Sequence, residues 1–470
     1  MLKTLKRLFV GDKAFYKMIL AVAIPIMIQN AITNFVGMLD NIMVGRVGTE
    51  QMTGVAISNQ LIFIFYLTVF GAVAGAGIFG AQFFGNGDHK GVRYAFRFKV
   101  MASLIISSLF IVGFILFGDE LIMMYLKGEG DVTNIEASLY YGKQYTLIML
   151  FGFIPYALMQ CYSSTLRESG ETLVPMKAGI ISMIVNFVLN AVFIFGLFGL
   201  PALGAAGAAL ATVIARVVEF AVVAIWTHRH SEKHLFIKGA FKSMHIPAKV
   251  TIDIFKKAMP LIINESLWSI SMALLSQCYS TRGYDVVSAV NIATTINNVF
   301  NVAFIALGNS VGIVVGQMLG AGKNDEAVDS ARKMIAFSSA ICLIFGGALA
   351  AVAPFFPMIY NTDDGVKSLA TSLILIMAVT MPIHAISHGC YFTLRSGGRT
   401  FITILFDSVY AFVVVYPVAC SLAYLTNISI IPLYFICQFL EIGKCIMGSI
   451  MVEKRIWVRN IVADKKDIIK

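Results

Sequence analysis

Charge is scarce in this chain. Only 13% of its 470 residues are Asp, Glu, Lys or Arg, against 58% hydrophobic, and the mean hydropathy is +0.81. A soluble domain carries about twice that share of charge. No polar stretch is longer than the 30 residues from His228 to Lys257, so a sizeable water-soluble domain is excluded. Cysteine pairing is also missing: Cys161, Cys278, Cys342, Cys390, Cys420, Cys437 and Cys445 fall singly, with no CxxC. Neither a disulfide framework nor a zinc site is indicated. Gly85-Asn86-Gly87 and Gly320-Ala321-Gly322 follow no strand and carry no Lys-Ser/Thr, so they are helix stops and not nucleotide loops. The basic N-terminus (Lys3, Lys6, Arg7, Lys13, Lys17) lacks a small-residue cleavage site and runs into an apolar stretch too long for a signal peptide. It is expected to be retained.

What remains is an all-α polytopic membrane protein. Hydropathy predicts twelve spans, near 18–44, 51–84, 98–118, 138–163, 173–198, 204–227, 256–281, 288–319, 334–354, 369–394, 401–425 and 432–452. Counted with flanking residues, the N-terminus, the connections after even-numbered spans and the tail hold 29 lysines and arginines. Connections after odd-numbered spans hold four: Arg46, Lys127, Arg282 and Lys367. The positive-inside rule then places both termini in the cytoplasm, and it accounts for the net charge of +10 without nucleic acid. The connection Asp119 to Glu136, rich in acids, is expected outside.

An internal repeat organises the chain. At an offset of 235, Pro25 matches Pro260, Gly48 matches Gly283, Arg97 matches Arg332, and Gln82–Gly87 matches Gln317–Gly322. After a contraction of seven residues, Leu166–Thr172 (LRESGET) matches Leu394–Thr400 (LRSGGRT). Six spans per repeat is even, so the halves are parallel. The expected organisation is an N-lobe at 1–228, a cytoplasmic linker at 229–255, a C-lobe at 256–453 and a cytoplasmic tail at 454–470. Two parallel six-helix lobes around a central cavity are a transporter architecture. Small residues every four positions (Gly308, Gly312, Gly316, Gly320; Gly77, Ala81, Gly85) are expected to let helices approach closely.

Ionisable residues inside spans are costly, and by default they mark function. Asp40 lies deep in the first span; its alternatives are an outer headgroup position, a pair with Arg46, or a hydrogen bond that pins helix packing. Glu265 follows Pro260 by five residues, and a proline bend frees carbonyls beside it. Their repeat mates are Leu275 and Asn30, so each half carries its own acid. Asn186 and Asn190 share a helix face and either complete a cation site or bond a neighbouring helix. His384 and His388 have the same spacing, but HxxxH without a third ligand is weak for zinc; a cavity-lining or proton-titrating role is favoured. Asp407 is expected at the cytoplasmic rim. Arg216 with Glu219, and Glu441 with Lys444, are expected to be self-neutralised pairs.

AIPIMIQNAITNFVGMLDNIMVGRVGTEQMTGVA, the two LR motifs and VNFVLNAVFIFGLFGLPALGAAGAALAT resemble the multidrug and toxic compound extrusion (MATE) family over nearly the whole chain. The resemblance implies a plasma-membrane antiporter, monomeric and not an enzyme, that exports small organic compounds, often cations, against inward H+ or Na+. It implies no cofactor beyond the coupling ion. By position, Asp40, Asn186, Asn190 and Thr212 resemble the N-lobe cation site, with Na+ possible at the first three, and Glu265 resembles the acid of helix 7. Asn190 stands where members often carry Asp, and His384 where some members carry a helix-10 Asp; both departures remove a negative charge and bear on the ion's identity. An exporter or flippase of lipid-linked or natural products within the superfamily is an alternative. An integral membrane enzyme lacks any metal, nucleophile or cofactor signature here, and a channel would show uncoupled current.

Overall fold

A computed structural model describes residues 9–126 and 132–463, without the side chains of residues 38, 39, 41, 42, 132 and 133. Lys3, Lys6, Arg7, Lys127 and the last seven residues therefore lie outside the described residues. Twelve long helices follow in order: α1 Lys13–Gly45, α2 Thr49–Gly85, α3 His89–Leu126, α4 Val132–Glu168, α5 Leu173–Phe195 and α6 Ala205–Arg229. Then come α7 Ala248–Ser280, α8 Tyr284–Gly320, α9 Asn324–Val352, α10 Asp364–Ser396, α11 Thr400–Leu425 and α12 Ile430–Glu453. Each contains a segment long and apolar enough to cross a membrane, and no strand occurs among the described residues. This is a multi-pass membrane protein.

The spans were placed correctly by hydropathy; their ends were not. The first helix opens at Lys13 because the Asp12 carboxylate accepts the Phe15 backbone N–H at 2.8 Å, a cap that an apolar count cannot see. Two helices are irregular. α11 carries consecutive π turns at Leu405–Val409 and Ala411–Val415, just before Pro417. α12 is interrupted at Leu440.

The chain divides into two compact units. The N-unit comprises Ile28–Gly80 and His89–Ala258; the C-unit comprises Met1–Met27, Ala81–Asp88 and Met259–Lys470. Both exchanges of helical segments at the start of a repeat fall within three residues of the matched prolines, Pro25 in α1 and Pro260 in α7.

Within the N-unit, Gly54 passes the backbone of Ser138 and Gly142, where a side chain would overlap. The loop between α6 and α7 is pinned by α3: Arg93 donates to the carbonyls of Leu235 and Phe236, and Arg97 to those of Gly239, Ala240 and His245. The exposed face of α3 is mainly apolar between its ends (Ile105, Leu109, Val112, Ile115), with Ser108 the polar exception, as contact with lipid favours.

Within the C-unit, the repeat motifs meet. A Cβ on Gly85 would overlap the Gln317 carbonyl, and one on Gly320 would overlap the Gln82 carbonyl, so the two matched Gln-x-x-Gly ends pack reciprocally. Gln82 is wholly buried and ties the segment after α12 to the end of α10: its Nε2 donates to the carbonyls of Ser396 in α10 and of Arg459, and its Oε1 accepts Ile461 N–H. Trp457, in that segment, is fully buried.

Candidate functional site

Four residues that the sequence singled out converge in the N-unit. Asn186 and Asn190 share one face of α5, Thr212 comes from α6, and Asp40 lies five residues before the end of α1. Asn190 Nδ2 donates to Asp40 Oδ1 at 2.5 Å and to Asn186 Oδ1 at 3.0 Å. Asn186 Nδ2 donates to Thr212 Oγ1 at 3.2 Å. The last link is loose: Thr212 Oγ1 donates to Asp40 Oδ2 at 3.5 Å, long for an O–H···O bond. Arg46 is not among the partners of Asp40.

Among the described residues the hydrogen bonds to Asp40 thus come from neutral donors, and Arg216 acts on it only through space. Asn190 is completely buried, and its Oδ1 has no partner among the described residues. Buried acceptors are normally satisfied, so this orphan marks a place for a donor or a cation. Nearby, Asn186 and Thr212 line a cavity of about 20 Å3 with Gly179, Arg216 and Glu219, room for about one water. Arg216 pairs with Glu219 at 3.0 Å, as their spacing predicted.

The C-unit arranges its charges differently. Lys444 on α12 pairs with Asp407 at 2.8 Å and with Glu441 at 3.3 Å. Asn264 Nδ2 donates to Asp407 Oδ2 at 3.1 Å, and Ser408 Oγ donates to Asn264 Oδ1 at 2.7 Å. Two expectations need correction. Asp407 is not a solvated rim residue: its side chain is 19% exposed, in a π turn that aims it at α12 and α7. Lys444 is not occupied by Glu441 alone, because a carboxylate from a distant helix shares it. No spacing rule connects 407 with 444.

Glu265, next to Asn264, makes no hydrogen bond or ion pair among the described residues; Arg395 and Asp407 are the charged groups acting on it. His384 and His388 both pack against Phe304, with ring centroids at 6.1 and 4.7 Å, and His384 Nε2 meets Gln438 Oε1 at 3.0 Å. No group of three His, Cys, Asp or Glu able to hold a metal occurs among the described residues.

One buried pair was missed. Lys99 in α3 is completely buried and bonds both oxygens of Glu168, with Ser164 and Thr165 at 3.1 Å. Sequence reasoning singled out neither residue: Lys99 lies at the start of the third predicted span, and Glu168 in a motif of unspecified role. Gly77 and Gly80 are what admit this carboxylate, since a Cβ at either position would overlap Glu168. The spacing of small residues was visible, but not that it served a charge.

Twelve helices long and apolar enough to cross a membrane, with buried polar clusters in both units, define a polytopic membrane protein. The MatE family model matches residues 25–192 and 260–425, and the chain belongs to that family. It is 24% identical over 391 residues to the "Probable multidrug resistance protein NorM" of Thermotoga maritima, covering 82% of this chain and 80% of that one. It is 22% identical over 423 residues to the "Probable multidrug resistance protein YoeA" of Bacillus subtilis, covering 87% and 88%. Among solved structures, an outward-facing multidrug resistance MATE family transporter of the MOP superfamily superposes with a TM-score of 0.85 at 18% identity, covering 95% and 97%.

Proposed function

We propose that this protein is a secondary antiporter that exports small organic compounds, many of them cations, in exchange for inward H+ or Na+. The observation that carries the reading is the N-unit cluster: one carboxylate, three neutral polar partners and the orphan Asn190 Oδ1. A carboxylate with neutral oxygens suits either a proton or a monovalent cation bound by hard oxygen donors. The names of the relatives support drug export. Asn186, Asn190 and Thr212 would hold the ion with Asp40, and Glu265 would supply the acid of the second half. The histidines His384 and His388 would line the pathway. We place the protein in the plasma membrane as a monomer, with two six-helix lobes and both termini inside.

Efflux of a fluorescent organic cation from proteoliposomes, with Na+ and H+ gradients imposed separately, tests the coupling. One gradient is expected to drive efflux; equal efflux with neither gradient refutes antiport. Asn134→Cys tests the topology. It is expected to react with an impermeant maleimide from the outer side, and labelling only from the cytoplasm sinks it.

A further inference from the structure

The exposed face of α8 is mixed: polar side chains stand on it beside Val287 and Val299, which are also exposed. Asn291, Thr294 and Asn298 are exposed on it, while Ala289, Ile292, Ala293 and Ile296 turn inward to the C-unit core. On α3 the same kind of exposure falls on isoleucine, leucine and valine. The side chains of Asn291 and Thr294 make no hydrogen bond among the described residues, and facing hydrocarbon they would stay unpaired at a cost lipid cannot offset. These two positions therefore meet water or a solute.

At the outer end of the face is a cavity of about 300 Å3, between α8 and the α9–α10 connection. Its lining is uncharged and rich in hydrogen-bonding groups: Ser288, Asn291, Thr295, Tyr360, Asn361 and Thr362. Thr295 donates to the Asn291 carbonyl at 2.8 Å and keeps its lone pairs. The side chains of Ser288, Asn291, Tyr360, Asn361 and Thr362 have no hydrogen-bond partner among the described residues, so amide and hydroxyl donors and acceptors converge on one hollow uncommitted. The volume is at the lower end for a small-molecule site. In the repeat mate α2 the matching positions are Ala56, Asn59 and Phe63 for Asn291, Thr294 and Asn298. Asn291 and Asn298 have no amide mate in α2, whose own amides, Asn59 and Gln60, match Thr294 and Thr295.

We infer that this cavity is a binding site for an uncharged, hydroxyl- or amide-bearing group of about one sugar ring. Resting on the transport reading above, it makes hydrogen-bonding neutral moieties part of what the protein selects. An amide accepts and donates at once, and so matches a hydroxyl in either role. The absence of lining charge leaves a cationic group without a partner here.

The probes are 4-methylumbelliferone and its β-glucoside, which differ by one neutral sugar. Binding to the purified full-length protein is measured by calorimetry. The wild type is expected to bind the glucoside about tenfold more tightly, a step of about 1.4 kcal/mol. Asn291→Leu with Asn361→Leu is expected to abolish that preference and leave the aglycone unchanged. Asp40→Asn is expected to keep the preference while losing transport, which separates this site from the coupling reading. Equal binding of the two probes, no glucoside binding, or a preference that survives the double variant overturns the inference. Should the double variant misfold, Ser288→Ala with Thr362→Val takes its place under the same criteria. Independently of any ligand, Thr294→Cys should react with a charged maleimide well above Ile115→Cys on α3. Equal reactivity overturns the water-facing assignment.

Discussion

The two units answer the same problem, a carboxylate among apolar helices, in opposite ways. In the N-unit Asp40 is held by Asn190 and Thr212 and makes no ion pair among the described residues, because the nearby Arg216 is paired with Glu219. In the C-unit Asp407 is held by Lys444, a cation covalently built in. The repeat register makes the contrast specific. Asp40, Asn186, Asn190 and Thr212 match Leu275, Val414, Val418 and Leu440, so every member of the N-unit cluster has an apolar mate. Conversely, Asp407 matches Gly179 and Lys444 matches Arg216. Where the C-unit has the Asp407 carboxylate, the N-unit has a glycine beside a cavity large enough for one water. Packing supports the register. Ser182 Oγ donates to the Ala215 carbonyl, and at the matched position Tyr410 lies against Gly443, whose Cβ would overlap its hydroxyl. The same frame thus carries an open site in one half and a closed one in the other.

The largest effect that would sharpen this comparison is on stability. Lys444→Met leaves Asp407 and Glu441 buried without a cation, and loss of one partner of a buried pair costs about 3–5 kcal/mol. Thermal unfolding in detergent should show a clear drop, most of it recovered by adding Asp407→Asn. If Lys444→Met alone melts like wild type, the lysine is not an internal counter-ion.

Next comes Asp40→Asn, which keeps the hydrogen-bonding shape and removes the charge. The protein should fold, and export should fall about tenfold or more, equivalent to about 1.4 kcal/mol. Normal drug resistance in cells expressing it would break the assignment of the open site to coupling; failure to insert would restore the helix-packing alternative.

Glu265 is the one acid of the C-unit cluster region without a bonded partner, so it tests whether that half is wholly closed. Glu265→Gln should weaken a cationic substrate about fivefold more than a neutral one of similar size, about 1 kcal/mol, the scale of one partly screened charge interaction. Equal losses for the matched pair would reduce Glu265 to packing.

The smallest effect is expected at Gly179. The atoms nearest an added Cβ there are Gln29 Cγ at 3.6 Å and Glu219 Oε1 at 3.9 Å, ordinary contacts. Gly179→Ala should change stability by less than about 0.5 kcal/mol. Gly80→Ala in the same unit overlaps Glu168 and should cost more. Similar melting of the two variants would remove the distinction between a glycine that leaves space and one that admits a charge.

The sequence by itself determined the class. Twelve apolar runs, a parallel repeat and an acid within the first span are written in local composition, because a bilayer imposes one length and one polarity on every segment that crosses it. It also marked Asp40, Asn186 and Asn190, since a polar residue in such a run is conspicuous wherever it ends up; Thr212 was marked only by resemblance to the family. Pairings between helices were decided only by the tertiary structure. Asp407 with Lys444, Lys99 with Glu168, and Gln82 with the segment after α12 join residues 37, 69 and more than 300 positions apart. The side chain that satisfies a buried charge is chosen by which helix faces touch, and no periodicity along one helix carries that information. The same holds for the exposed amides of α8: their number is in the sequence, but that they face outward follows only from what the opposite face packs against.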